Sequence, residues 1–155
     1  MAIRSKNYKG RIPPYVFRGT TIGFPGGTNI QKLGYSCTTW NPIKATLFAI
    51  ECARRHPETA VVYVIKTGNI AYLKPLGNVL KKYEEEVVWP ILPKDLYKLS
   101  EGYVTIQNML QALTKNGISV DGPVSLETLT RLCRECEKMT TAKIESLVKD
   151  IVLQK

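Results

Sequence analysis

Residues 60–65 (AVVYVI) constrain the fold of this chain more than any other segment. An uninterrupted apolar run rich in β-branched residues predicts a strand at the centre of a sheet, buried on both faces. Upstream, Asn41 followed by Pro42 predicts a helix start, because asparagine caps orphan amides and proline suits the first turn. Apolar residues then keep a helical spacing until Pro57. A helix beside a buried strand predicts an α+β unit in the first hundred residues.

Further strands and helices follow from local patterns. After residue 101 the pattern predicts helices only, so we expect residues 101–155 to form a helical appendage packed on the α+β unit, where it serves target or partner recognition. Residues 1–12 are a basic and polar lead-in to the unit in residues 1–100. A short strand is predicted at residues 15–17, running into residues 18–21, and further strands are predicted near 35–40 and 85–89. Residues 72–82 favour no single structure, and helices are predicted at 104–115, after Ser125 and at 141–153.

Composition excludes several classes of protein. The chain has 155 residues, of which 44% are hydrophobic and 23% charged, so disorder and a coiled-coil rod are excluded. No apolar run approaches the roughly 18 residues of a membrane span, and the first ten residues lack the apolar segment of a signal peptide. We therefore expect a cytoplasmic protein with no membrane partner, made in the cytosol even if it is delivered into a target cell.

The distribution of charge is uneven. The chain carries 22 Lys+Arg and 13 Asp+Glu, a formal net charge of +9. Residues 101–155 hold seven basic and seven acidic residues, which leaves 15 basic and 6 acidic residues in the first hundred. Such an asymmetric field attracts anionic partners, whether nucleotides, nucleic acids or acidic proteins, and does not choose among them.

Three short segments together carry the functional information. They are residues 17–20 (FRGT), residues 35–40 (YSCTTW), which open the predicted helix, and residues 84–90 (EEEVVWP). In this order they resemble the mono-ADP-ribosyltransferase family of the arginine, serine, glutamate type, whose members include bacterial toxins and phage enzymes. The resemblance implies two small β-sheets around a cleft that holds NAD as a substrate, and transfer of ADP-ribose to a macromolecular acceptor.

The third segment contains the candidate catalytic residues. A run of glutamates is more often a solvated surface, but the following Val-Val-Trp-Pro predicts that these glutamates begin a buried strand. In a strand, residues two apart share a face at roughly 6 to 7 Å, so Glu84 and Glu86 face one side and Glu85 the other. By the resemblance, Glu86 stabilises the positive charge that develops on the ribose, and Glu84 orients or deprotonates the acceptor.

The first segment contains the candidate anchor for NAD. A guanidinium offers a fork of donors that matches a pyrophosphate, and the resemblance implies that Arg18 binds it. The structural alternative is an arginine on the exposed side of an edge strand. The resemblance also implies that the backbone of Gly19 approaches the nicotinamide amide closely, which the absence of a side chain allows. Thr20 completes this group of cofactor-binding candidates.

The second segment allows two alignments with the Ser-Thr-Ser motif of the family. Without a gap the motif falls on Cys37, Thr38 and Thr39, and with a shift of one residue it begins at Ser36. The first hydroxyl of the motif holds the catalytic glutamate in the family, and a thiol at Cys37 is a poorer hydrogen-bonding group. Tyr35, Cys37, Thr38 and Thr39 are the cofactor-binding candidates here. The alternative is a threonine-rich strand whose end caps the next helix.

The remaining reactive residues favour no other chemistry. His56 is the only histidine, which excludes the diphtheria-like branch and the RNA 2′-phosphotransferases, since both need a histidine where this chain has Arg18. Cys133 and Cys136 are spaced like half of a zinc site, but they fall on a predicted helix without a second pair, so core packing is favoured and no metal is predicted.

The sequence thus predicts an ADP-ribosyltransferase, acting as a toxin or a phage or defence effector and paired with a neutralising antitoxin or immunity protein. By the resemblance, Glu84 favours protein arginine as the acceptor, and the basic surface makes a nucleic-acid base the second choice. Two alternatives remain open. One is a non-catalytic, basic nucleic-acid-binding module. The other is a degenerate transferase fold that acts as a regulator; this alternative stays open because Cys37 stands where the family has a serine.

Overall fold

The computed structural model describes residues 2–3, 14–22, 36–69, 72–75, 86–88, 93–118, 125–136 and 140–155. This part of the chain forms strands and helices in alternation. The strands are β1 (Ala2–Ile3), β2 (Tyr15–Thr21), β3 (Ser36–Thr38), β4 (Ala60–Lys66), β5 (Tyr72–Pro75), β6 (Glu86–Val88) and β7 (Gly102–Thr105). The α-helices are α1 (Pro42–Cys52), α2 (Pro93–Leu99), α3 (Ile106–Lys115), α4 (Leu126–Cys136) and α5 (Thr141–Asp150), with short 3₁₀ turns at Pro57–Thr59 and Thr67–Asn69. A mixed α and β fold is confirmed.

The strands form two sheets. One is antiparallel and three-stranded, in the order β2-β4-β7, and the other is four-stranded, in the order β1-β5-β6-β3 with β1 parallel to β5. The prediction of a buried central strand at residues 60–65 is confirmed, because β4 pairs with β2 on one side and with β7 on the other. Its aliphatic side chains are buried, whereas Tyr63 is half-buried.

Helix α1 begins where the sequence predicts. The side chain of Asn41 accepts hydrogen bonds from the backbone N–H of Ile43 at 2.9 Å and of Lys44 at 3.3 Å, and Pro42 occupies the first turn. These bonds satisfy amides that a helix start leaves without intrahelical partners. The helix packs on β2 at Gly19, so the cap also fixes the position of the helix on the three-stranded sheet.

The expectation that only helices follow residue 101 is wrong. Residues 102–105 form β7, which pairs with β4, and the assignment of residues 104 and 105 to a helix is corrected accordingly. The strand opens at Gly102, whose φ of +127° and close approach to the Gln154 carbonyl both favour glycine. Gln154 forms an isolated antiparallel bridge with Tyr103. Because this pairing holds the last residues extended, α5 ends at Asp150 rather than at residue 153.

Residues of α3, α4 and α5 join the same buried cluster as β2, β4 and α1, including Leu113, Leu129 and Leu147. A polar contact also links α3 to α5: the side-chain amide of Asn116 donates to Asp150 at 2.8 Å and its oxygen accepts from Ser146 at 2.9 Å. The three helices therefore share one core with the three-stranded sheet, with α4 packed against α1 and α5 packed against α3. Their role in recognition remains a prediction.

No helix in the described part of the chain combines the length and apolar character needed to cross a membrane.

Strand β2 and helix α1 approach each other closely at Gly19, and this close approach allows a test of the packing. A Cβ there would meet the Ala45 carbonyl oxygen and lie 2.8 Å from the Ala49 nitrogen, both backbone atoms of α1. Gly19→Ala should lower the free energy of unfolding by about 2 kcal/mol or more, since neither atom can move without shifting the helix. Chemical denaturation measures this.

Gly68→Ala is the matched control, because a Cβ at Gly68 has nothing within 4 Å. It should change the free energy of unfolding by less than about 0.5 kcal/mol. Equal stability of the two variants would contradict this packing of β2 on α1.

Candidate active site at the junction of the two sheets

Two backbone hydrogen bonds join the sheets and bring the three sequence segments together. Phe17 N donates to Thr39 O at 2.7 Å, and Thr39 N donates to Phe17 O at 2.9 Å. One residue further, Thr38 pairs with Glu86 across β3 and β6. Neighbouring strands lie about 5 Å apart, so Arg18, Thr38 and Glu86 occupy three adjacent chain segments. We call Phe17, Arg18, Thr38, Thr39 and Glu86 the strand junction.

Thr38 has the most informative side chain of the junction. It is 2% exposed, and Oγ1 is the one buried side-chain oxygen or nitrogen of the described residues that has no hydrogen-bond partner. Leaving a buried hydroxyl unpaired costs about 1–3 kcal/mol. Because Thr38 pairs with Glu86 across the two strands, its unpaired hydroxyl is available for a hydrogen bond to a carboxylate or to a ligand.

Thr39 differs from Thr38, because its hydroxyl already has a structural use. Oγ1 of Thr39 accepts a hydrogen bond from the backbone N–H of Asn41 at 3.1 Å, just before α1 begins. The alternative in which a threonine-rich strand leads into a helix cap therefore describes Thr39 well. It does not account for Thr38.

Arg18 is buried, with 4% of its surface exposed. Its Nε–H donates to the hydroxyl oxygen of Tyr97 on α2 at 2.8 Å, and its Cζ lies 5.9 Å from the centre of the Tyr97 ring. The alternative of an arginine on the exposed side of an edge strand is therefore wrong. A buried guanidinium needs partners for its charge, and Tyr97 supplies a hydrogen bond and a ring face.

The other residues of the first segment are placed by β2. Gly19 faces α1, so the close approach of that helix gives one reason for a glycine here. Thr20 pairs with Val61 and lies two residues from Arg18, on the same face of the strand. A contact of either residue with NAD stays a prediction.

Several candidates are described only by their backbone or lie outside the description. Ser36 and Cys37 pair with Val88 and Val87, so both alignments of the second segment stay open. Glu86 pairs with Pro75 as well as with Thr38, which places it on an inner strand of the four-stranded sheet. Tyr35 and Glu84 lie outside the described residues.

Three tyrosines cover the face of the three-stranded sheet that carries Arg18. Arg18, Tyr63 and Tyr103 are direct neighbours across β2, β4 and β7. The Tyr63 and Tyr97 rings are stacked, with centroids 4.0 Å apart and an interplanar angle of 13°, and Tyr103 is tilted at 5.6 Å from Tyr63. Burial, followed by the nearby hydroxyls of Tyr97 and Tyr103, raises the pKa of Tyr63 above its usual 10.0, so this phenol stays neutral near pH 7.

The tyrosines border a cavity of about 320 Å³, which we call the tyrosine cavity. Its lining comprises Tyr63, Tyr97, Lys98, Ser100, Gly102, Tyr103 and Lys155. Sequence patterns do not find this cavity. One local signal exists, since Tyr63 is the only polar-tipped residue in the AVVYVI run, but Tyr97 and Tyr103 are brought to it only by tertiary folding.

Comparisons with protein-family models, curated proteins and solved structures found no match. Within the residues that the structure describes, no group of three or more His, Cys, Asp or Glu side chains is placed to hold a metal ion.

The hydrogen bond between Arg18 and Tyr97 can be tested by removing one oxygen. Tyr97→Phe leaves the ring but deprives the buried Nε–H of its acceptor, so the free energy of unfolding should fall by about 1.5–3 kcal/mol, the range for a hydrogen bond to a charged group. Urea denaturation measures the change. Tyr15→Phe, at a half-buried tyrosine on the same strand as Arg18, is the control. Similar small losses in both variants would show that the bond contributes little.

Proposed function

We propose that the protein is an NAD-dependent mono-ADP-ribosyltransferase whose two sheets border an NAD cleft. The strand junction is the observation that carries the proposal. Three segments widely separated in sequence, which together resemble the motifs of the family, lie on adjacent strands there. A buried hydroxyl at the same place has no partner. A purely structural role for these residues does not explain why the three segments and the unpaired Thr38 hydroxyl occur together.

Arg18 is the proposed ligand for the pyrophosphate of NAD. Its guanidinium carries a fixed positive charge and planar donors that suit phosphate oxygens. Since only 4% of the residue is exposed, the pyrophosphate reaches it when part of the cover over the guanidinium moves. Tyr97 forms part of that cover and holds Nε, and thereby orients the donor fork.

Glu86 is the proposed catalytic residue. The bond between the ribose carbon and the nicotinamide nitrogen breaks, and its electron pair leaves with nicotinamide, which departs as a neutral base. The Glu86 carboxylate stabilises the positive charge that develops on the ribose. The acceptor then forms a bond to the same carbon and gives up a proton, for which Glu84 is the proposed base.

Thr38 is the proposed partner of the Glu86 carboxylate. It is paired with Glu86 in the strand register, and its buried hydroxyl has no hydrogen-bond partner. A hydroxyl can donate one hydrogen bond to a carboxylate oxygen and hold it in place. This assignment does not depend on which alignment of the Ser-Thr-Ser motif is taken, since Thr38 belongs to both.

Release of nicotinamide from NAD tests the reaction class. The purified protein should release it, with or without a cell lysate as the source of acceptor, and Glu86→Gln should reduce the rate by about 100-fold or more, because the amide carries no charge to stabilise the ribose. Glu85→Gln removes the neighbouring carboxylate and should keep most of the rate. Absence of release in both conditions, or equal losses in the two variants, would contradict the proposal.

Thr38→Val gives a second signature, because stability and activity should change in opposite directions. Valine keeps the shape and removes the unpaired hydroxyl, so the free energy of unfolding should rise by about 1 kcal/mol, while nicotinamide release falls at least about tenfold. Thr39→Val is the control: it removes the acceptor for the Asn41 amide and should lower stability. A stable and fully active Thr38→Val variant would exclude Thr38 from the site.

A further inference from the structure

We propose that the tyrosine cavity is a base-stacking site for single-stranded nucleic acid. Binding at this site does not require the transferase reaction. A further consequence, that nucleic acid supplies the acceptor, rests on the proposed function. Three features of the cavity carry the inference: its aromatic wall, its size together with the sign of its charges, and its position beside Arg18.

The aromatic wall suits a flat ring. Tyr63 and Tyr97 already stack on each other at 4.0 Å, so no base fits between them, and a base would instead stack on the side of a ring that faces the cavity. Tyr63, Tyr97 and Tyr103 are all half-buried, which fixes the rings while leaving surface open. Stacking of a base on an aromatic side chain contributes about 1–3 kcal/mol and tolerates any sequence.

The size and charge of the cavity favour a nucleotide. A volume of about 320 Å³ is at the lower end of ligand cavities, which suits one base rather than a dinucleotide. Lys98 and Lys155 are exposed and line the same cavity, and no acidic side chain is among the described residues that line it. Two ammonium groups attract a phosphate backbone and repel the guanidinium of a protein arginine. The cavity thus favours nucleic acid over the arginine acceptor that Glu84 suggests.

The position of the cavity links it to the junction. Tyr97 lines the cavity and also accepts the hydrogen bond from Arg18. The guanidinium carbon lies 5.9 Å from the centre of that ring. A base held in the cavity is therefore one tyrosine away from the proposed NAD anchor, so an acceptor nucleotide and NAD would be neighbours.

Binding of a short single strand tests the site without NAD or turnover. The probe is a fluorescein-labelled DNA or RNA strand of mixed sequence, titrated into the full chain and followed by fluorescence anisotropy. Lys98→Glu should weaken binding about tenfold, whereas Lys94→Glu should weaken it less than about threefold. Both lysines are exposed on α2, and both variants change the net charge equally. The general attraction of a basic protein for nucleic acid is therefore the same in the two variants, and a difference in binding reports the position of the lysine.

The stacking contribution needs its own readout. A strand that contains 2-aminopurine loses fluorescence when that base stacks, and the protein should quench it. Tyr103→Leu should remove most of the quenching and weaken binding about tenfold, whereas Tyr15→Leu, outside the cavity, should change neither.

Three results would overturn the site: no binding of either strand, equal losses in the two lysine variants, or complete displacement of the strand by AMP or NAD, which would make the cavity part of the NAD site. Strand binding without nicotinamide release would reject the transferase proposal and leave the site in place. Nicotinamide release without strand binding would reject the base-stacking site and leave the transferase proposal in place.

Discussion

The proposed site depends on the pair of backbone hydrogen bonds between Phe17 and Thr39, because the two sheets meet at these bonds. They set β2 beside the end of β3, and β3 in turn pairs with β6. Arg18, Thr38 and Glu86 become neighbours as a consequence of that one bridge. Its position is held from both sides, since Phe17 is fully buried and the helix cap, Asn41, lies two residues after Thr39 and donates its backbone N–H to the Thr39 hydroxyl.

The junction contains two arrangements that work against stability. Arg18 is a buried charge whose Nε–H donates to Tyr97, and Thr38 is a buried hydroxyl without a hydrogen-bond partner. Apolar residues at both positions would avoid these costs. Unfavourable polar groups retained at one place are typical of functional sites, and in this protein they occupy the positions where the sequence segments resemble a catalytic motif.

Local chemistry explains which elements are predictable from the sequence. The strand at residues 60–65 and the cap at Asn41 are encoded within a few residues, and both are confirmed. Strand β7 is not found, because residue 104 continues the apolar spacing of α3 and the strand exists through its pairing with β4. The contact between Arg18 and Tyr97 spans 79 residues, and no local pattern encodes it. Sequence therefore predicts the candidate residues but neither the cover over Arg18 nor the tyrosine cavity.

The most direct test is a titration of the ¹⁵N-labelled protein with NAD, followed through the backbone amide resonances. We expect the amides of Arg18, Thr38 and Glu86 to shift together and to report one common Kd, because all three border the proposed NAD site. The amide of Glu58, exposed in the 3₁₀ turn before β4, should stay unchanged. Resonances of the three residues that do not move with NAD, or that report unrelated values of Kd, would contradict the proposed site.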